Sequence, residues 1–453
     1  MLNILPPISR MVHVYVVVVV LAQMMWAGTV EGQQQQQQQQ RVGTVSTVAG
    51  SGDSGFKNGN AGDARFQSPV SVSLSRDGSY ALVADTDNNR IRKVVIATGA
   101  VTTFAGQENS GSTDASGGSA KFDKPRGIAI SKDGKFALVA DAENHLIRKI
   151  IIETRAVLTL AGSGESGDKN GKHARFKSPT AICISSDNKW ALVVDLNHKV
   201  RQVFIVSVSE TGKLSGDAGE VRAVAGTTQG FRDSGKDSRA SKFDQPSGIV
   251  LTSQDAYALV SDYGNHKIRK VVCDSQCQTQ GDIWKVETLA GSSRGFADKV
   301  AGDANFDGPR GLSVAINDNK QYVLIADQNN NRVRKMDLEG DNARAVTTLA
   351  GQQNDGDTDA TEGAQAQFNK PADVAGAHAS GCSSAASPPS PRAVHPKGTR
   401  RSQLACAKST RALRDASGIS GGSLDRHQNR LCGALHARDM SHRPTSSSGH
   451  FPP

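Results

Sequence analysis

Apolar residues in this chain come in short runs broken by polar turns, and the same order of runs returns again and again. In one copy the strand Gly127-Ile-Ala-Ile130 leads through a turn, Lys132-Asp-Gly134, into a second strand, Ala137-Leu-Val-Ala-Asp141. A tight Asp-x-x-Asn turn follows, then a third strand, Ile147-Arg-Lys-Ile-Ile-Ile152, and a fourth, Ala156-Val-Leu-Thr-Leu-Ala161. Four short strands per unit, repeated, predict the blade of a β-propeller. The first strands are apolar on both faces, so one twisted sheet cannot cover them and each unit must stack against neighbours on either side. In the third strand the alternation Ile91/Lys93/Val95 and Ile147/Lys149/Ile151 shows one face turning toward water, as expected nearer a rim.

Each unit is announced by a Phe-x-x-Pro segment: Phe66 to Pro69, Phe122 to Pro125, Phe176 to Pro179, Phe243 to Pro246, Phe306 to Pro309 and Phe368 to Pro371. Six starts are visible, at intervals of 56, 54, 67, 63 and 62 residues. The segment Val42 to Gly50 matches Ala345 to Gly351 but has no first three strands before it. It is therefore expected to be the outermost strand of the last blade, donated by the N-terminal end to close the ring. Blade six would need its inner strands after Pro371, yet only Ala372-Asp-Val-Ala375 fits and Gly376 is the last residue that aligns.

The stretch Val83-Ala-Asp85-Thr-Asp-Asn88-Asn-Arg-Ile-Arg92 and its copies resemble the NHL repeat, and the Asn-His-Leu triplet itself stands at Asn144-His145-Leu146. The Thr-Leu-Ala-Gly segments, the loops rich in Gly and Asp, and Phe-x-x-Pro resemble the Thr-x-Ala-Gly class of secreted and cell-surface NHL proteins. The resemblance covers roughly residues 44 to 376. It implies an all-β propeller, typically six-bladed, that binds a ligand or protein far more often than it catalyses. For this chain it implies five complete blades plus an incomplete sixth closed by the N-terminal strand.

The ends differ from the body. Residues 1–28 read as a signal peptide, with Arg10, an apolar run from Met11 to Trp26, then Ala27 and Gly28. That run is short for a membrane span of ~20 residues, so cleavage is expected rather than an anchor. Residues 29–41 hold eight glutamines and read as a disordered spacer, and residues 42–376 as the propeller. Residues 377–453, basic and rich in Ser, Arg and Pro, read as a disordered tail, either genuine or a reading-frame artefact that replaced the end of blade six. The abrupt loss of pattern favours the artefact.

Charge changes the picture once it is divided. The chain of 453 residues carries +9, but residues 41–376 hold 41 Lys+Arg against 40 Asp+Glu, whereas residues 377–453 hold 11 against 3. A neutral body argues against the RNA-binding reading known for other NHL domains. No P-loop, dinucleotide fingerprint or Gly-x-Ser-x-Gly elbow is present, and no cofactor is expected.

Candidate residues fall into four groups. Asp85, Asp141, Asp195, Asp262 and Asp327, with Asn88, Asn144, Asn197, Asn265 and Asn330, recur once per blade, which suits hydrogen bonding within the turn joining strands two and three. Arg92, Arg148, Arg201, Arg269 and Arg334 recur likewise and are expected to pair with an adjacent blade. The loops between blades should share a face with those turns, and Phe56, Lys57, Phe231, Arg232, Arg294 and Phe296 are the expected contact residues for a protein or carbohydrate partner. The same aromatics could instead fold back as loop packing. Asp355, Asp357, Asp359 and Glu362 form an acidic cluster that only superficially resembles a calcium loop, because Ala360 and Ala366 stand where Gly and Glu belong.

Three histidines, His145, His198 and His266, occupy matching turns. Histidine triads hold zinc in NHL-like amidating lyases, but turns on separate blades are too spread to converge on one ion. Cys273 and Cys277 flank a three-residue gap where a local disulfide would pin the loop, and Cys183 reads as a buried small hydrophobe. The expected protein is an exported monomer without catalysis. The alternative is a lactonase-like or lyase-like hydrolase with a metal in the central channel; a channel of small residues, one per blade, would argue against it.

Overall fold

The computed structural model describes residues 17–19, 45–205, 218–234, 240–273, 284–317, 319–340 and 343–376. The glutamine tract, Cys277 and with it the expected disulfide, and everything after Gly376 lie outside the described residues, as does most of the expected leader.

The described residues form five four-stranded antiparallel blades. The first is β2 (Pro69–Leu74), β3 (Tyr80–Asp85), β4 (Arg90–Val95) and β5 (Val101–Gly106). The second is β7 (Pro125–Ile130), β8 (Phe136–Asp141), β9 (Leu146–Ile151) and β10 (Ala156–Ala161), edged by the two-residue β6 (Ala115–Ser116). The third is β11 (Pro179–Ile184), β12 (Trp190–Asp195), β13 (Lys199–Phe204) and β14 (Val221–Ala225). The fourth is β15 (Pro246–Leu251), β16 (Ala258–Asp262), β17 (Lys267–Cys273) and β18 (Trp284–Ala290). The fifth is β19 (Pro309–Asn317), β20 (Lys320–Asp327), β21 (Arg332–Asp337) and β22 (Val346–Ala350).

The core lies between blades because each second strand is buried on both faces. Leu82 and Ala84 pack against Ile128, Ala137 and Val139 of the next blade, whereas Ala81 and Val83 turn the other way, toward Val72 and Ala375. Successive pairs of blades enclose an apolar cluster of this kind; Trp190, Phe204 and Trp284, for example, meet between the third and fourth. Burying side chains of this size contributes about 1.5–3 kcal/mol each. The Ala-Gly ending of the fourth strand has a local cause. Gly106, Gly162, Gly226, Gly291 and Gly351 all sit at positive φ, and a Cβ on any of them would lie 2.3–2.6 Å from the carbonyl oxygen of the blade's own turn residue.

The six blades typical of the family resembled are not found: among the described residues the complete blades number five. Among the described residues the sixth repeat contributes only the short strand that follows its Phe-x-x-Pro start. Its place holds β23 (Val374–Gly376), which packs beside β19 on one side and β2 on the other. Ser71 Oγ and Val72 N donate to Asp373 at 2.8 and 3.0 Å, and Gly376 N donates to Ser313 Oγ at 2.9 Å. The inner strands β2, β7, β11, β15, β19 and β23 thus run around one axis, each beside the next.

Residues 45–49 form no strand, contrary to expectation, yet they keep an outer strand's contacts. Val45 bridges Ala360, as Val101 bridges Gly59 and Val221 bridges Gly171. Thr47 N and Oγ1 donate to Asp359 at 2.8 and 3.0 Å, as Thr159 N and Oγ1 donate to Asp114 at 3.0 and 3.1 Å. With no third strand beside them, the ladder stops at one bridge. On its other edge β23 pairs in parallel with β1 (Val17–Val19), three residues of the expected leader.

Candidate functional site

The turn between strands two and three is built the same way in four of the five complete blades, the third being a shorter variant. In the first, Asp85 Oδ1 accepts from Gln67 N at 2.8 Å, and its Oδ2 accepts from Asn88 Nδ2 and from the Arg92 guanidinium at 2.9 and 2.6 Å. Asn88 Nδ2 also donates to Gly55 O at 2.9 Å, so the preceding inter-blade loop is tied to the turn and both lie on one face. Arg92 reaches the carbonyls of Arg65 and Lys57 and Asn58 Oδ1 at 2.8–3.0 Å. The expected pairing of these arginines with an adjacent blade is corrected. Each finds its carboxylate within its own repeat, because the guanidinium matches the Asp seven residues earlier, six in the third repeat, and the loop carbonyls folded over it.

Arg92 and Asp85 are both fully buried, as are their counterparts in the other four blades. Burial pushes Asp141, Asp195, Asp262 and Asp327 up to about 6, while the hydrogen bonds and the paired arginines pull back, so the carboxyls stay ionised at neutral pH. The third repeat, one residue shorter, is looser: Arg201 lies 3.4 Å from Asp195.

The histidines connect blades. His145, His198 and His266 sit at positive φ and their Nδ1 atoms accept from the backbone of Ser178, Gln245 and Gly308 in the next repeat at 3.2, 3.1 and 3.1 Å. Asn89 and Asn331 do the same for Lys124 and Lys370 through Oδ1, both at 2.9 Å. Burial holds His198 and His266 below the usual imidazole range.

The expected contact residues share the turn face. Phe56 stacks under Arg90 and Arg92 at 3.9 and 4.8 Å, Phe231 under Arg269 and Lys267 at 4.9 and 5.1 Å, and Phe296 under Arg332 and Arg334 at 4.0 and 4.8 Å. Lys57 lies 3.6 Å from Asp63, Arg294 forks onto Asp307 at 3.0 and 3.1 Å, and Arg232 is exposed with its main chain bridged to Lys242. In the acidic cluster Asp359 is engaged by Thr47, Glu362 accepts from Gln365 Nε2 at 3.1 Å, and Asp355 and Asp357 are exposed. Among the described residues no three His, Cys, Asp or Glu side chains gather as a metal site.

A second site lies on the axis. The inner strands enclose a channel of about 480 Å³, walled by apolar residues such as Ile128, Ile182 and Leu312 and by Cys183, whose thiol burial pushes up. The residue after each Pro marks its mouth: Val70, Arg126, Thr180, Ser247, Arg310 and Ala372. The next position is small in five repeats and Asp373 in the sixth; a Cβ on Gly311 would lie 2.0 Å from Asp373 Oδ1. The channel is therefore not lined by small residues alone. Reading the six post-proline positions in column would have singled out Arg126 and Arg310, which the repeat itself does not demand.

No family model matches the chain. It is 26% identical over 342 residues to NHL repeat-containing protein 2 of Gallus gallus, covering 68% of this chain and 44% of that protein. It is 29% identical over 331 residues to the Homo sapiens protein of the same name, covering 67% and 43%. The chain thus matches under half the length of these curated relatives. An auxiliary nutrient binding protein from Bacteroides thetaiotaomicron superposes with a TM-score of 0.52 at 15% identity, covering 73% of this chain and 70% of that one, a likeness of fold.

Proposed function

We propose that this chain, an NHL-repeat β-propeller protein, is a non-catalytic binding module whose turn-and-loop face takes a protein or carbohydrate partner. One observation carries the proposal: Phe56, Phe231 and Phe296 stand on that face 44, 50 and 45% exposed, each held by two cations. The fold does not require them, since the second and third repeats carry Ser112 and Asp168 at the same place. They belong to blades one, four and five, which adjoin around the place of blade six. Aromatic rings already fixed by stacking lose little entropy on binding and supply most of the contact energy of an interface.

The test is the triple variant Phe56→Ser, Phe231→Ser and Phe296→Ser, presented with the wild type to arrays of glycans and of extracellular protein domains. A ligand held by the wild type should lose at least about tenfold in affinity, some 1.4 kcal/mol, with unfolding little changed. Undiminished binding by the triple variant would move the contact off this face. The leader also supports export as a proposal, and sequencing the N-terminus of the mature protein checks it. Cleavage near Gly28 would remove β1 and open one edge of β23.

A further inference from the structure

Arg126 and Arg310 are the second residues of the inner strands of the second and fifth blades, and around the six inner strands they stand three places apart, on opposite sides of the channel. Neither side chain has a hydrogen bond or ion pair to a described residue, and Arg126 Nε is enclosed without any partner. The five repeat arginines also leave Nε without a partner, but their two terminal nitrogens reach a carboxylate and loop oxygens, which those of Arg126 and Arg310 do not. Burial lowers both Arg126 and Arg310, and the like charge of Arg126 lowers Arg310 further.

The nearby carboxylates act on the pair through their charge without hydrogen-bonding it. Asp373, the residue before β23, offsets Arg310 in this way, but its Oδ2 accepts from Ser71 and Val72 and its Oδ1 from Val374 N at 2.9 Å. Asp87 and Glu143 act on Arg126 from the turn face, where both are exposed and screened by water. The phenol of Tyr263 also acts on Arg310. Two half-buried guanidiniums without fixed hydrogen-bond partners are poorly compensated unless an anion is taken between them, and the planar fork of arginine suits carboxylate and phosphate oxygens.

We propose that the channel mouth between Arg126 and Arg310 is a binding site for a small organic anion bearing a carboxylate or phosphate group. The two arginines grip the charged group from opposite walls, and the apolar wall below, Ile128 and Leu312 among it, receives the carbon skeleton. A volume of about 480 Å³ suits a small molecule and not a polymer. The site is independent of the phenylalanines on the outer face, so either proposal can fail alone.

Titration calorimetry of the full chain at low salt, with citrate and with inorganic phosphate as probes, tests the site. The wild type should bind at least one, more weakly as salt rises; citrate alone points to a carboxylate ligand and phosphate alone to a phosphorylated one. Arg126→Gln and Arg310→Gln should each lower affinity tenfold or more, and Arg310→Lys should fall between. In anion-free buffer Arg126→Gln should melt no lower than the wild type, because the carboxylates that act on Arg126 are exposed and none is left buried without a cation, and the probe should raise the melting point of the wild type only. Binding of neither probe, equal binding by the Gln variants, or a markedly lower melting point of Arg126→Gln without anion would each overturn the proposal.

Discussion

Replacing Asp262 by Ala should cost about 3–5 kcal/mol, because it leaves a buried guanidinium without its carboxylate. In the wild type Asp262 and Arg269 are both fully buried, with Arg269 NH1 2.6 Å from Asp262 Oδ2. The same carboxylate accepts from Asp244 N at 2.7 Å and Asn265 Nδ2 at 2.9 Å. Truncation thus strands three donors, one of them charged, and Arg269 keeps only the Lys242 and Arg232 carbonyls and the part-exposed Asp233. Against a total domain stability of about 5–15 kcal/mol that is a large fraction. Trp190 and Trp284, buried between blades three and four, report the loss in urea unfolding by fluorescence. Asp63→Ala is the control: Asp63 lies 3.6 Å from Lys57 with both side chains more than half exposed, and its loss should cost under about 1 kcal/mol. Asp262→Leu combined with Arg269→Met should be less damaging than Asp262→Leu alone, since no charge is then left unpaired. The reasoning is refuted if Asp262→Ala falls within about 1 kcal/mol of the wild type, or if the double variant is no better than the single.

Two further predictions follow from the turn geometry. His198 and His266 must be neutral at Nδ1 to accept from Gln245 and Gly308, and their folded values lie below the ordinary one, so they add stability that is full above about pH 6.5 and lost as pH falls through the folded value. The variant with His198→Asn and His266→Asn, copying Asn89 and Asn331, should lose that part of the acid-side decline, about 1 kcal/mol per site; identical pH–stability curves for the two proteins would exclude the mechanism. Gly226→Ala places a Cβ 2.3 Å from His198 O at a φ of +92°, and should lower stability by at least about 2 kcal/mol in thermal unfolding; a change under about 0.5 kcal/mol contradicts the close approach.

Much of this was legible in the chain because it is local and repeated. The turn that Asp85 and Asn88 build is closed by residues a few positions away, so its spacing is written in every repeat. The arginines were read as recurrent but assigned the wrong partner. Sequence spacing cannot show that the loop before a blade folds back over that blade's own third strand, and this fold-back is what surrounds Arg92 with Lys57, Asn58 and Arg65. The histidines, met as matching turn positions, gave no hint that Nδ1 stands in for an asparagine oxygen, since both act as acceptors toward the next blade only once the blades are stacked.

The amino-acid sequence by itself determined the blade, its four strands, and the place after Gly376 where the pattern stops, because alternation and turn chemistry act over a few residues. Tertiary structure alone decided that Arg126 faces Arg310, that Asp373 lies against Ser71, and that Thr47 holds Asp359. Those pairs are separated by 184, 302 and 312 positions along the chain and meet only when the inner strands come round a common axis. Stacking of two-faced apolar sheets brings that about, and no local preference in the sequence encodes which blade will stand opposite which.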